Sequence, residues 1–383
     1  MLRRRLLALF AGLGLLPAGR AAWAGPAARL DFLFVHDRQI LLPIAVDGRP
    51  AEAWLDSGAG ATVLDAAFAR TLGVALGGGI EAHGVAGGVA GVREARVNLE
   101  AGGLTMTDRR VVVMDLSAVA RVVQRPVQVL LGRDVFDQAV VDIDFQDRRI
   151  SLIPRTEFIP PGDAPLSLRP SADLRSLFIV VAGAPTEAIL DLGNAGGLLL
   201  DRDFAEVNHL LAGRRLSTEL AVGADGPRES VQASLDRVRL GGLAFDGVPT
   251  VVTPGLTSRV PANVGLQLLS RFRLTIDFGG DRIWMTPYPD ATSRPFRKNR
   301  TGLSLTPQGP GAALVVDHVA AGSPAALGGW KVGELITALD GAPIPPDYAA
   351  GEACMWIYGA PGRTVILTLA GGARRSLTLA DYF

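Results

Sequence analysis

The sequence is poor in the residues on which several common chemistries depend. Cys354 is the only cysteine in 383 residues, so no internal disulfide can close and no paired-cysteine metal site can form. No Gly-rich turn or nearby histidine frames that thiol as a nucleophile, and it is expected in the core. The four histidines are scattered, without the spacing of a zinc site, and phosphate loops and nucleophile elbows are absent. Neither sign of charge prevails: 38 Lys and Arg balance 38 Asp and Glu. That balance gives no basic excess for nucleic acid and no acidic tail for a charged partner. Aromatic residues make up only 6%, and beyond the amino-terminal run no apolar stretch approaches the length of a bilayer span. No metal and no cofactor is expected.

What is present is turn-forming. With 46 Gly, 25 Pro and 48% apolar residues, the composition suits an all-β protein of many short strands, long enough for two or three domains. Residues 1–24 read as an export signal: Arg3, Arg4 and Arg5, an apolar run over 6–16, then Ala22-Trp23-Ala24 before Gly25. The run is shorter than a membrane span, which argues against an uncleaved anchor. The arginines leave the general and twin-arginine routes both open. An exported protein, periplasmic or secreted in the bacterial cell envelope, is the expectation.

A duplication organises the middle of the chain. A-W-L-D-S-G-A at 53–59 returns as A-I-L-D-L-G-N at 188–194, and D-F-Q-D-R-R-I at 144–150 returns as D-F-G-G-D-R-I at 277–283. The offsets, 135 (191 − 56) and 133 (277 − 144), are nearly equal, as a repeated unit of about 130 residues requires. Each copy consists of strand-like runs with one short helix candidate, at 65–72 and 201–211. Pro160-Pro161-Gly162 lies between the copies. The expected lobes are 25–156 and 157–290: two similar β-barrels facing each other.

An Asp-Ser-Gly triplet alone is weak, since an Asx turn between strands accounts for it. Its surroundings add to it: an apolar strand before Asp56, Ala59 and a helix candidate after it, and Val129-Leu130-Leu131-Gly132 downstream. That set resembles a retroviral-type aspartic protease lobe. The second copy has Asp191 and Asn263-Val264-Gly265 in the same order. The resemblance implies a dyad of Asp56 and Asp191 supplied by one chain, as in pepsin-type enzymes, so that no homodimer is needed and a monomer is expected. It implies Ser57, Gly58, Gly193 and Asn194 as supporting residues and a Gly-rich flap with Gly84, Gly87, Gly88 and Gly91. A weaker flap candidate lies at 222–227. It also implies endopeptidase action on peptides or proteins.

Leu192 departs from the family, in which Ser or Thr there helps cross-link the two active-site loops. Asn194 offers a replacement bond to Asp191. Two readings follow: a working but weaker or more selective endopeptidase, and a protease-like protein that binds peptides without cutting them. A third, a serine-protease loop in Gly193-Asn194-Ala195-Gly196-Gly197, lacks the upstream His and Asp in suitable surroundings and leaves the match of Asp191 to Asp56 unexplained.

After a polar connector at 291–300, the composition changes. Gly322-Ser323-Pro324-Ala325-Ala326, Lys331-Val332-Gly333, Asp340-Gly341-Ala342-Pro343 and Pro361-Gly362 follow in order, and 301–383 resembles a bacterial PDZ domain. The resemblance implies a peptide groove beside a strand, with a partner's C-terminal carboxylate near the loop of Gly302, Leu303 and Ser304.

Overall fold

Turn chemistry gives both halves the same starting hairpin. Strand Gln39–Val46 turns into Arg49–Leu55 through Asp47 and Gly48, at φ 47° and 73°. Leu174–Val181 turns into Ala184–Leu190 through Ala182 and Gly183, at φ 51° and 98°. Two consecutive positive φ values are the type I′ geometry whose twist matches that of the flanking strands. This computed structural model describes residues 21–23, 28–83, 88–89, 91–117, 119–120, 125–223, 226–256, 260–309 and 313–383. The expected export signal, residues 1–24, lies mostly outside them. Its Ala21–Trp23 pairs antiparallel with the edge of Leu104–Met114.

In each half the aspartate-bearing strand pairs in parallel with a short apolar strand, Leu55 beside Leu131 and Leu190 beside Val264. A third strand, Val63–Asp65 or Leu198–Asp201, joins that short strand antiparallel. Arg93–Ala101 alternates buried Ala95, Val97 and Leu99 with outward polar residues, as a strand covered on one face should. Val248–Thr253 is buried throughout.

The helices follow caps. Asp65 accepts from the N–H groups of Ala67 and Phe68 to start Ala66–Leu72, and Asp201 accepts from Asp203 to start Arg202–Val207. The second helix is shorter than the expected 201–211. Two further helices, Arg133–Gln138 and Leu266–Leu269, directly follow Gly132 and Gly265. The sequence conceals them because four to six residues of mixed or apolar character carry no helical period.

Val140–Asp144 and Phe272–Asp277 bring the halves together, pairing antiparallel with Val141 opposite Ile276 and Ile143 opposite Leu274. The repeated D-F pairs at 144–145 and 277–278 thus mark the ends of equivalent strands in one shared sheet. A continuous core that includes Leu55, Leu131, Leu190 and Val264 runs through both lobes. Phe136 and Phe278 stack within it, ring centroids 5.0 Å apart.

The C-terminal region forms a separate six-stranded sheet from Leu303–Gln308 to Arg374–Thr378. Ser323 caps a short helix, Pro324–Leu327. A 3-10 helix, Glu352–Tyr358, lies between its strands Leu335–Leu339 and Thr364–Leu369. Cys354 is buried in this region's own core with Leu305, Val316 and Trp356.

Candidate active site

Asp56 and Asp191 end equivalent strands and receive equivalent restraints. The Asp56 N–H donates to Leu131 O (3.0 Å), and the Asp191 N–H to Val264 O (3.1 Å). The Gly58 N–H donates to Asp56 Oδ1 (2.8 Å) and the Gly193 N–H to Asp191 Oδ1 (2.9 Å). Both turns therefore fold each carboxyl back onto its own backbone, and they bring the two carboxyl groups into direct interaction. Approach is so close that a Cβ on Gly193 would lie 2.4 Å from Asp56 Cγ, so only glycine fits there.

The pair is nearly sealed, with Asp56 3% exposed and Asp191 0%. Burial, and then the neighbouring Asp191 charge, hold the Asp56 carboxyl well above its ordinary value of 3.8. Burial also raises Asp191, to about 6, against the lowering effect of hydrogen bonds from Asn263, Gly193 and Asn194. Adjacent buried carboxyl groups cannot both ionise easily, so one proton stays in the pair.

Ser57 ties the lobes together. Its hydroxyl donates to Leu190 O (2.8 Å) and accepts from the Leu192 N–H (2.9 Å), both in the opposite lobe. The reciprocal position is Leu192, whose side chain is fully buried in the core and has no polar atom to return the bond.

Asn194 does not fill that gap in the expected way. Its backbone N–H reaches Asp191 Oδ1 (3.1 Å), but its side chain turns away to Asn263 Oδ1 (2.8 Å). The side-chain bond to Asp191 comes from Asn263, whose Nδ2 donates to Oδ2 at 2.5 Å. The reason is reach: the turn that brings the Asn194 N–H onto Asp191 occupies its Oδ1, whereas Asn263, on the adjoining strand Ala262–Val264, faces Oδ2. Sequence reasoning had Asn263 in view only as part of a strand. The signal was its place 133 residues after Leu130, an amide where the copy has a hydrocarbon.

Of the expected flap residues, Gly84 and Gly87 lie outside the described residues. Gly88 pairs with His83 in a two-residue ladder, and Gly91 follows at φ 73°. The second-lobe candidate at 222–227 is the end of the hairpin Ser217–Gly223 and Gly226–Leu235. The base of this hairpin is docked on the C-terminal sheet. Ser217 Oγ donates to Ala321 O (2.6 Å), Thr218 Oγ1 meets His318 Nε2 (3.0 Å), and Gln232 Nε2 donates to the Tyr382 hydroxyl (3.1 Å). Gly302, Leu303 and Ser304 line a groove together with His36 and Gln39 of the first lobe. Neither Asp56 nor Asp191 lines it.

Two aspartates on matching turns in two β lobes are the arrangement expected of an aspartyl protease. The aspartyl protease family matches residues 42–135 and 179–278, just over half of the 383, and the chain belongs to that family. Among curated proteins no sequence matches it. Solved structures similar to it include a retropepsin-like aspartic protease from Rickettsia conorii, at 19% identity and TM-score 0.26 over 33% of this chain and 94% of that one. Basic 7S globulin from soybean is similar at 11% identity and TM-score 0.39, over 68% of this chain and 95% of that one.

Proposed function

We propose that the protein is an exported aspartic endopeptidase that cleaves peptide bonds with a water held between Asp56 and Asp191. The observation that carries this reading is the meeting of the two carboxyl groups, each fixed by a Gly N–H and both buried. A carboxyl pair sharing one proton is the established arrangement of aspartic proteases and enters here with the family. The ionised member takes a proton from the water as its oxygen attacks the scissile carbonyl carbon. The protonated member gives its proton to the carbonyl oxygen, and the resulting diol collapses with proton transfer to the departing amine nitrogen. Water and two carboxyl groups suffice, with no cofactor.

In this reading the Gly-rich segment with Gly84, Gly87, Gly88 and Gly91 covers the substrate, and the C-terminal sheet is a PDZ domain. Among the described residues its strand Leu303–Gln308 pairs on one edge only, with Ala313–Val319, and the groove beside Gly302, Leu303 and Ser304 suits an added peptide strand or a protein C-terminus. The protein acts as a monomer in the cell envelope.

Leu192 and the near-complete burial of the dyad favour a second reading, a peptide-binding protein without cleavage. Incubation of the protein with denatured protein and a mixed peptide library across pH 3 to 8 (roughly the range in which carboxyl pairs titrate) separates the two. Cleavage that disappears in both Asp56→Asn and Asp191→Asn is expected. Binding without cleavage at every pH, or activity unaffected by both substitutions, overturns the endopeptidase.

A further inference from the structure

The hydrogen-bond pattern around Asp191 can be oriented without ambiguity, because it begins at a backbone donor. The Gly196 N–H donates to Asn194 Oδ1 (2.7 Å), which fixes that amide with Nδ2 pointing the other way. Nδ2 donates to Asn263 Oδ1 (2.8 Å), so Asn263 must present its own Nδ2 to Asp191 Oδ2 (2.5 Å). An amide has one accepting and one donating end, and each step fixes the next. Both Asn194 and Asn263 are more than nine-tenths buried, so water does not offer either a competing partner.

The first lobe has no such relay. The residues in the corresponding positions are Ala59 and Leu130, both buried in a second apolar cluster. Asp191 thus accepts three fixed donors, from Gly193, Asn194 and Asn263, whereas the Asp56 carboxyl accepts from the Gly58 N–H, and the Ala59 N–H goes to the Asp56 main-chain carbonyl. Donors aimed at a carboxyl oxygen favour the ionised form.

We propose that Asn263, held in orientation by Asn194, is a positioning residue that places the negative charge of the dyad on Asp191 and leaves the proton on Asp56. The two carboxyl groups then have unequal duties within the proposed reaction, on which this inference rests. Asp191 takes the proton from water, and Asp56 donates to the substrate carbonyl oxygen. Burial raises both carboxyls, so the difference between them comes from the donors that each accepts.

The test is titration of the full chain carrying 13C label at aspartate Cγ, with the two signals assigned by their loss in Asp56→Asn and Asp191→Asn. In the wild type the first ionisation belongs mainly to Asp191. Asn263→Leu, which installs the first-lobe residue, is expected to raise that ionisation by about one pH unit and to spread it more evenly over both signals. Asn194→Ala leaves Asn263 present but unbraced and gives a smaller shift in the same direction. It decides the matter alone if Asn263→Leu does not fold. The acid limb of kcat/KM moves up by the same amount, whereas a purely structural loss lowers kcat at every pH and leaves the limb in place. Unmoved carboxyl titrations in the folded variants overturn the inference whether or not the protein cleaves anything. Shifted titrations in a protein that cleaves nothing uphold the charge placement and overturn only the endopeptidase.

Discussion

The two lobes repeat one backbone plan and divide its polar duties. Ser57 in the first lobe crosses to Leu190 and Leu192 of the second, and Leu192 at the matching place offers only hydrocarbon. Conversely Asn194 and Asn263 in the second lobe form a buried amide relay, where the first has Ala59 and Leu130. The second lobe's hairpin, Ser217–Gly223 with Gly226–Leu235, is also docked at its base on the C-terminal sheet through Ser217, Thr218 and Gln232. A homodimeric site must use every hydroxyl and every carboxylate twice in the same way. A duplicated chain is free to let one lobe hold the halves together and the other orient the charge, and these substitutions do so.

The sharpest way to break that division is at Ser57. Ser57→Ala leaves the Leu192 N–H and the Leu190 carbonyl without their shared partner in a buried site, and Ser57 itself is 0% exposed. Two orphaned buried groups cost about 3–4 kcal/mol together. Because Leu192 cannot compensate, urea unfolding should show the full loss, accompanied by a fall in kcat larger than any change in KM. A loss under about 1 kcal/mol would mean that the lobes are held together by the shared core alone.

Exchanging the aspartates tests the relay by stability. Both carboxyls are held above their ordinary 3.8, so the folded chain binds their protons more tightly than the unfolded one. That stabilisation is complete below about pH 4 and is lost as pH rises through the folded values, about 6 for Asp191. The loss from Asp191 alone is on the order of 3 kcal/mol. Asp56→Asn does not titrate, still accepts from the Gly58 N–H, and turns its NH2 toward Asp191. It should melt above the wild type at pH 8, with the difference fading toward pH 4. Asp191→Asn instead sets one NH2 against that of Asn263, whose orientation the relay fixes. It should be less stable than Asp56→Asn by about 2 kcal/mol at pH 8. Equal melting temperatures for the two variants would remove the asymmetry.

How much of this was readable beforehand depended on whether a feature repeats along the chain or is made by contact. The paired offsets of Asp56 with Asp191 and Asp144 with Asp277 gave the two lobes, because a duplication keeps spacing even where side chains diverge. The amide relay was not legible. Asn263 lies 72 residues from Asp191, inside an apolar strand, and only the parallel pairing of Ala184–Leu190 with Ala262–Val264 brings it there. The helices after Gly132 and Gly265 were hidden by their shortness. The docking of hairpin Ser217–Leu235 on the C-terminal sheet rests on single hydroxyl and amide groups that carry no pattern in sequence.

The smallest difference between the lobes lies in their first turns. Asp47 and Ala182 occupy the same type I′ position, at φ 47° and 51°. Asp tolerates the left-handed region because its short polar side chain bonds locally, and here Asp47 Oδ1 accepts from both the backbone and the side chain of Asn98 (2.8 and 2.9 Å). Ala182 has no such recourse and carries the steric cost of its Cβ. Ala182→Asn should therefore raise stability by about 0.5–1 kcal/mol, and Asp47→Ala should lower it by at least as much, since the Asn98 bonds go as well. Thermal melting of both variants at one pH measures the pair. If Ala182→Asn proves neutral while Asp47→Ala destabilises, the first-lobe turn is held by Asn98 and not by its backbone preference, and the two turns are alike in geometry alone.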